Sequence, residues 1–207
     1  MCQIRSKQYD TPTVLTYFRQ RASEYSVASA TGFWGWQRQR EAAVLRILAG
    51  DIKGRAVLDL GCGAGFYASR MADAGARKVV AVDASPAMIA AITDLRVERL
   101  MGDAATITLD RRFDVVVLAG LLEFVTDPIA VLTNARRHLK RGGRIVVLVP
   151  RQNFAGRLYR RFHRRHGFTV SLFDRVRFAR MTKQVGLALL RSQAVFPFSD
   201  VHALVVR

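Results

Sequence analysis

Cysteine is scarce in this chain of 207 residues, which contains only Cys2 and Cys62. Two cysteines are too few for a disulfide scaffold and lack the spacing of metal ligands, so we predict neither a disulfide framework nor a metal site. The first ten residues contain no apolar stretch of signal-peptide length. The longest apolar run, Val115 to Leu122, is too short to cross a bilayer. These features predict a cytoplasmic protein.

Acidic residues are also in short supply. The chain has 16 Asp and Glu against 33 Lys and Arg, a formal net charge of +17. Most of the excess lies in residues 151–191, where ten Arg and one Lys face a single acid, Asp174, for a net charge of +10. Such a segment favours contact with an anionic surface, an acidic protein or phosphate.

No repeat and no Pro/Gly/Ser-rich linker divides the chain. We therefore expect one globular unit at residues 51–207, preceded by an N-terminal helical cap or lid at residues 1–50. Short apolar runs alternate with helical patterns, and strands that are apolar on both faces are typical of a parallel sheet between helices. The predicted strands cover residues 55–60, 78–83, 96–103, 113–120 and 143–150, and the predicted helices 65–75, 85–93, 127–140, 151–168 and 173–186, with closing strands near 187–196 and 202–207. Ser85 and Asp127 are predicted N-caps.

Three glycines, Gly61, Gly63 and Gly65, follow the first predicted strand in the spacing G-x-G-x-G. A dinucleotide fingerprint requires a glycine at position 66, which is Phe, and no Gly-Lys-Ser/Thr of a phosphate-binding loop follows. The spacing therefore predicts a nucleoside ligand without a pyrophosphate.

Carboxylates follow the first three predicted strands. Asp83 lies twenty residues after Gly63, the separation at which an acid reaches two ribose hydroxyls. Asp103 can accept from an exocyclic adenine amine while the N–H of Ala104 faces a ring nitrogen. Asp59 can orient a cationic tail. Parallel sheets bind ligands at these strand ends, where the strand order reverses.

The segments "VLDLGCGAG", "VVAVDAS" with Met88, "MGDA", "FDVVVLAGLLEFVTDP" and "LKRGGRIVVLVP" resemble the successive motifs of class I S-adenosylmethionine-dependent methyltransferases over residues 55–150. The resemblance implies an α/β fold with a Rossmann-like, mostly parallel seven-stranded sheet and S-adenosylmethionine as the cofactor. It also implies that Asp59 and the three glycines surround the methionine part, that Asp83 holds the ribose, and that Ala84 or Met88 lies beside the adenine read by Asp103 and Ala104. Cys62, Ala119 and Gly120 complete the predicted cofactor site.

The resemblance places Glu123 and Phe124 beside the transferable methyl group. Glu123 is a candidate base or orienting acceptor, and a structural acid at a helix end is the alternative. His163 and His166 are further catalytic candidates, with a solvated or acid-binding role equally open. The chain lacks the N/D-P-P-Y/F motif of amine methylases and a cysteine in the context of a cytosine C5 nucleophile, which disfavours nucleic-acid methylation.

Aromatic residues of the N-terminal segment predict an apolar or planar acceptor beneath a lid. The candidate substrate-binding residues are Tyr17, Tyr25, Trp34, Trp36, Phe124 and Arg151; simple packing of an added helix on the sheet is the alternative. Residues 151–168 read as a basic amphipathic helix with Phe154, Leu158 and Phe162 in one stripe. We expect this helix to bind an anionic membrane or an acidic carrier protein. The alternative is that its apolar stripe is buried in the domain.

The leading hypothesis is methyl transfer, by O-methylation, to a small hydrophobic or anionic acceptor such as a quinone-, lipid- or tetrapyrrole-like molecule or a carrier-bound intermediate. RNA methylation is the second hypothesis, because a basic segment binds phosphates. A non-catalytic cofactor-binding regulator or membrane-surface protein is the third. We expect the protein in the cytoplasm or at the inner surface of the membrane.

Overall fold

The computed structural model describes residues 13–14, 16–19 and 32–207. Residues 13–14 and 16–19 are helical. Within residues 32–207 the strands are β1 (Ala56–Leu60), β2 (Lys78–Asp83), β3 (Val97–Met101), β4 (Phe113–Ala119), β5 (Leu139–Pro150), β6 (Leu187–Val195) and β7 (Ser199–Val206). The helices in the same range are α1 (Gly32–Ala49), α2 (Phe66–Asp73), α3 (Pro86–Ala90), α4 (Pro128–Arg137), α5 (Phe154–Arg164) and α6 (Arg175–Gln184).

The seven strands form one sheet in the order β3-β2-β1-β4-β5-β7-β6. Strands β1 to β5 are parallel, with Leu58 opposite both Val80 and Val116, whereas β7 pairs antiparallel with β5 and β6. This arrangement confirms the predicted Rossmann-like, mostly parallel seven-stranded sheet. The strand order reverses between β1 and β4, so a crevice is expected at their carboxyl ends.

Helices cover both faces of the sheet because successive residues of each strand point to opposite sides. One core packs Leu58, Val116 and Val147 against α4 and α6. The other packs Val57 and Val117 against α1 and α2. Burial on both faces explains why the central strands are almost continuously apolar.

The N-terminal segment divides between two environments. Helix α1 packs against β5, β6 and β7 with Leu45 and Leu48 buried, so residues 32–49 share the core of residues 51–207. This is the packing that we gave as the alternative to a lid. Val14, by contrast, packs with Phe168 and Val170. The division at residue 50 stays a prediction.

Most predicted element positions agree with the structure, including the N-caps. Ser85 Oγ accepts from the Met88 N–H, and Asp127 accepts from the N–H groups of Ile129 and Ala130. The predicted helix 127–140 is too long, because Leu139 already pairs with Phe113 as the start of β5. The predicted helices 85–93 and 151–168 shorten to α3 and α5.

Among the described residues, no helix combines the length and apolar character needed to cross a membrane.

Candidate functional site

A cavity of about 440 Å³ opens at the carboxyl ends of β1, β2 and β4, at the reversal of strand order. This volume lies within the usual range for small-molecule sites. Ten of the twelve predicted cofactor residues line it, whereas Asp59 and Gly65 lie outside the lining. The ten are Gly61, Cys62, Gly63, Asp83, Ala84, Met88, Asp103, Ala104, Ala119 and Gly120.

The glycine loop bends sharply where β1 ends. The N–H groups of Gly61 and Cys62 both donate to the Val82 carbonyl, at 2.8 and 3.0 Å. Gly61 has a φ of 71°, and a Cβ atom there would lie 2.6 Å from Leu121 Cδ1. A side chain is therefore excluded at this position, and the main chain forms the cavity wall. The Cys62 thiol is buried, which raises its pKa.

Asp83 joins β2 to the glycine loop. Its Oδ2 accepts from the Gly63 N–H at 2.8 Å and its Oδ1 from the Ser85 N–H at 2.9 Å. Burial raises the pKa of this carboxyl, and the backbone donors oppose the rise. The carboxylate is thus fixed at the cavity with lone pairs left for a ligand.

Asp59 is almost completely buried beside the loop. Neither carboxylate oxygen receives a hydrogen bond of good geometry from the residues that the structure describes. The pKa of Asp59 is raised to about 7, mainly by burial and also by the charge of Asp83, while the nearby Ala68 N–H acts in the opposite direction. A buried carboxyl without a donor fits a cationic ligand group close by.

The turn after β3 places Asp103 and Ala104 on the cavity wall. Asp103 Oδ1 accepts from the Ala105 N–H at 2.7 Å. Asn134 Nδ2 donates to the carbonyls of Ala104 and Ile107, at 3.0 and 2.9 Å, and so holds the turn from α4. Asn134 was not predictable from the sequence, because nothing local marks a helix residue that bonds to a loop thirty positions earlier.

The structure does not bring the three candidate catalytic residues onto the cavity. Glu123 is buried behind Gly120, where a Cβ atom would lie 3.6 Å from its Oε1. The pKa of Glu123 is raised to about 8, mainly by burial; its own backbone N–H and Arg38 oppose the rise, and the charge of Glu41 adds to it. His163 is buried among aromatic rings, and the centroid of its ring lies 4.5 Å from that of Tyr159 and 5.9 Å from that of Phe124. His166 packs against Tyr17 and Phe162.

The candidate substrate residues divide in the same way. Phe124 lines the cavity, and Tyr17 packs in the cluster around His163 without lining it. Trp34 and Trp36 are half-exposed on α1, next to Phe33 and away from the cavity. They lie outside the cavity lining because α1 turns its buried face toward the sheet, and their role in substrate binding stays a prediction.

Arg151 is also absent from the cavity. It pairs with Asp200 at an Nε–Oδ2 distance of 3.4 Å, which holds it beside β7. Tyr25 lies outside the described residues. Three further residues line the cavity from α1 and α2 and were not predicted: Arg38, Phe66 and Tyr67. For Arg38 the sequence contains one signal. Helical spacing places it one turn before Ala42, on the side of α1 that faces the sheet.

An open α/β sheet with a carboxylate-rimmed cavity at the reversal of strand order defines a nucleoside-binding protein of Rossmann-like architecture. Residues 23–192 match the family model described as a methyltransferase domain, so the chain belongs to this family. Its fold is that of the class I S-adenosylmethionine-dependent methyltransferases.

Curated relatives carry different activities. A cypemycin N-terminal methyltransferase from a Streptomyces species is 42% identical over 100 residues, 44% of this chain and 40% of that protein. A tRNA U34 carboxymethyltransferase from Marinobacter nauticus is 34% identical over 55% of this chain and 35% of its own. A ubiquinone biosynthesis O-methyltransferase from Coxiella burnetii is 34% identical over 52% and 49%. The chain thus spans less than half the length of these relatives.

Solved structures extend the comparison over nearly the whole chain. DhpI in complex with SAH has a TM-score of 0.72 and 25% identity, covering 95% of this chain and 96% of that one. The magnesium protoporphyrin IX methyltransferase from Synechocystis PCC 6803 with bound SAH has a TM-score of 0.75 and 16% identity, covering 96% and 100%. At 16% identity the second likeness shows the fold alone.

Proposed function

We propose that the protein methylates a small apolar or anionic acceptor, by O-methylation. The observation that carries this proposal is the composition of the cavity wall, where Val14, Phe18, Phe124 and Val125 adjoin the carboxylates. Apolar and aromatic walls favour an apolar or planar acceptor. Arg38 is the one cationic side chain among the described residues of the wall, and it supports an anionic group on the acceptor.

Specific side chains fit S-adenosylmethionine, which supplies an activated methyl group on a sulfonium when bound. Asp83 accepts hydrogen bonds from the ribose hydroxyls. Backbone donors hold its carboxylate at the cavity and leave lone pairs on both oxygens for the ligand. Asp103 and the Ala104 N–H contact the adenine edge, and Met88 packs beside the ring. Asp59 balances the positive charge of the methionine part.

We infer that methyl transfer depends on positioning of the acceptor and on exclusion of water from the cavity. In-line methyl displacement mainly requires the acceptor at near-attack distance in a dry cavity. Phe18 and Phe124 contact each other edge to face, with ring centroids 5.2 Å apart, and both line the cavity. They hold the acceptor against the loop. Glu123, His163 and His166 lie behind this wall and support it.

The cofactor assignment is tested by Asp83→Asn. We expect affinity for SAH, measured by calorimetric titration, to fall about tenfold or more, since a charge-assisted hydrogen bond contributes about 1.5–3 kcal/mol. The matched control is Asp110→Asn, which removes the same charge from an exposed position. Unchanged affinity in a folded Asp83→Asn protein contradicts the ribose role.

The acceptor class is tested by labelled methyl transfer into total RNA and into an organic-soluble cell extract. We expect label in the organic fraction. RNA is the second candidate, supported by the basic residues 151–191 and by the relative named as a tRNA-modifying enzyme. Label confined to RNA selects that candidate, and label in neither fraction contradicts both.

A further inference from the structure

Helix α5 exposes the apolar stripe that amphipathic helices usually bury. Phe154, Leu158 and Phe162 are 81%, 58% and 51% exposed, whereas Gly156 and His163 of the same helix are buried. The expectation that the domain buries this stripe is wrong. The helix is anchored by its opposite face, so the stripe projects from the molecule.

Arginines accompany the stripe. Arg157, Arg161 and Arg164 are exposed, and at 100° per residue they follow the stripe along one side of the helix. Residues 151–173 contain no Asp or Glu. The exposed face of α5 is therefore both apolar and strongly cationic.

A second exposed group lies next to the start of α5, at the turn between β6 and β7. Asn153 Nδ2, at the start of α5, donates to the Pro197 carbonyl at 2.8 Å, and Phe196 beside it is exposed. The Trp34 ring lies 5.2 Å from Phe198, and Arg40 donates to the Phe196 carbonyl at 2.9 Å while lying over the Trp36 ring. We call α5 and these aromatic residues the docking face.

The docking face lies at the same end of the sheet as the cavity. Pro150, at the carboxyl end of β5, pairs with Ser199, which follows the turn that carries Phe196. On its buried side α5 reaches the cavity wall through His163, whose ring is 5.9 Å from that of Phe124. A partner on the docking face therefore lies beside the site.

We propose that the docking face binds the surface of an anionic lipid bilayer. Projecting Phe and Leu side chains on a basic helix insert at the boundary of headgroups and acyl chains, tryptophans concentrate at that boundary, and arginines attract anionic headgroups. The combination of a projecting apolar stripe, flanking arginines and half-exposed tryptophans fits the bilayer boundary, whereas the phosphates of RNA do not use the apolar side chains. An acceptor dissolved in the bilayer is then supplied beside the cavity, a consequence that rests on the proposed function.

Vesicle binding tests the proposal independently of methyl transfer. Both tryptophans of the chain, Trp34 and Trp36, lie on the docking face, so their emission reports its contacts directly. We expect a blue shift and co-flotation with vesicles of phosphatidylcholine and phosphatidylglycerol, and much weaker binding to phosphatidylcholine alone. Equal binding to both compositions, or binding to neither, overturns the proposal.

Two variants locate the contact. Phe154→Glu is expected to weaken vesicle binding about tenfold, whereas Leu95→Glu, an equal charge change at a 94% exposed position on the amino side of β3, leaves it unchanged.

Neutralising Arg157, Arg161 and Arg164 with Gln lowers binding about fivefold for each residue. Equal effects of Phe154→Glu and Leu95→Glu contradict the assigned face. Binding of an acidic acyl carrier protein or of RNA in place of the vesicles assigns the face to that partner and overturns the lipid proposal.

Discussion

At the scale of single residues, three carboxyl groups buried near the cavity differ in their partners. Glu41 accepts from Gln37, Tyr67 and Ser199, the last at 2.6 Å. Asp59 and Glu123 each leave at least one buried oxygen without a donor among the described residues. A buried carboxylate without compensating donors is costly in free energy. The pKa values of Asp59 and Glu123 therefore rise until the neutral form is accessible near neutral pH.

Asp59→Asn tests this at the glycine loop. Because the folded-state pKa of Asp59 is raised to about 7, its stability contribution is fully present below about pH 4 and lost as the pH rises through about 7. We expect the unfolding free energy of the ligand-free wild type to fall between about pH 4 and pH 7 more steeply than that of the variant. Thermal melts over this range provide the measurement, and parallel curves contradict the assignment.

The same residue predicts a pH dependence of cofactor affinity. A cationic ammonium group on the amino-acid part of the ligand, which SAH also carries, stabilises the Asp59 carboxylate, so wild-type affinity for SAH increases as the pH rises towards about 7, and affinity of Asp59→Asn does not. Titration calorimetry in buffers of different ionisation enthalpy measures the accompanying proton release. Identical proton release from both proteins excludes Asp59 as its source.

Glu123→Gln separates a structural from a catalytic carboxyl. Since Glu123 is outside the cavity lining and its pKa is raised to about 8, the neutral amide resembles the form present at pH 7. We expect the methyl-transfer rate of the variant to stay within about threefold of the wild type. A loss of about a hundredfold or more, typical of a general base, contradicts this expectation.

At the scale of elements, Gly156 determines how α5 packs. A Cβ atom there would lie 1.9 Å from the Arg151 carbonyl oxygen, a contact that only movement of the backbone relieves. Gly156→Ala is therefore expected to cost at least about 1–3 kcal/mol of unfolding free energy, as overpacking does. Urea unfolding measures the loss. Arg157→Ala, on the exposed side of the same turn, is the control and stays within about 0.5 kcal/mol of the wild type.

Sequence patterns predicted the elements well where the chain supplies local signals. Apolar runs marked the central strands, and the side chains of Ser85 and Asp127 marked helix starts. Contacts distant in sequence were not predictable. The pairing of Leu139 with Phe113 extended β5, and the ion pair with Asp200 drew Arg151 away from the cavity.

The residues of the candidate site were likewise predictable where the chain supplies a local signal, and unpredictable where contacts distant in sequence decide their position. Glycine spacing and strand-end carboxylates located the residues that surround the cavity, because each lies at the end of its own strand. Which face of a helix meets the core depends on the neighbouring elements. Periodicity alone therefore could not show that Trp34 and Trp36 lie outside the cavity lining, and it left open whether Phe154 is buried or exposed.

At the scale of the whole molecule, the positive charge is unevenly distributed. Several described carboxylates near the surface pair locally, as Glu98 does with Lys78 and Asp114 with Lys140. Residues 151–191, with a net charge of +10, contain one acid, and Asp174 uses its side chain to cap α6. Repulsion among the remaining cations opposes the folded state, and surface ion pairs contribute little against it.

This imbalance predicts that salt stabilises the protein. Screening weakens long-range repulsion among exposed charges once the Debye length falls to about 10 Å. We expect the melting temperature to rise as sodium chloride increases from low to physiological concentration. Replacing Arg157, Arg161 and Arg164 with Gln is expected to raise the melting temperature at low salt and to reduce its salt dependence, because the three lie on one helix without an acid in the adjoining chain. A melting temperature that falls with salt contradicts this account and assigns the balance to attractive ion pairs.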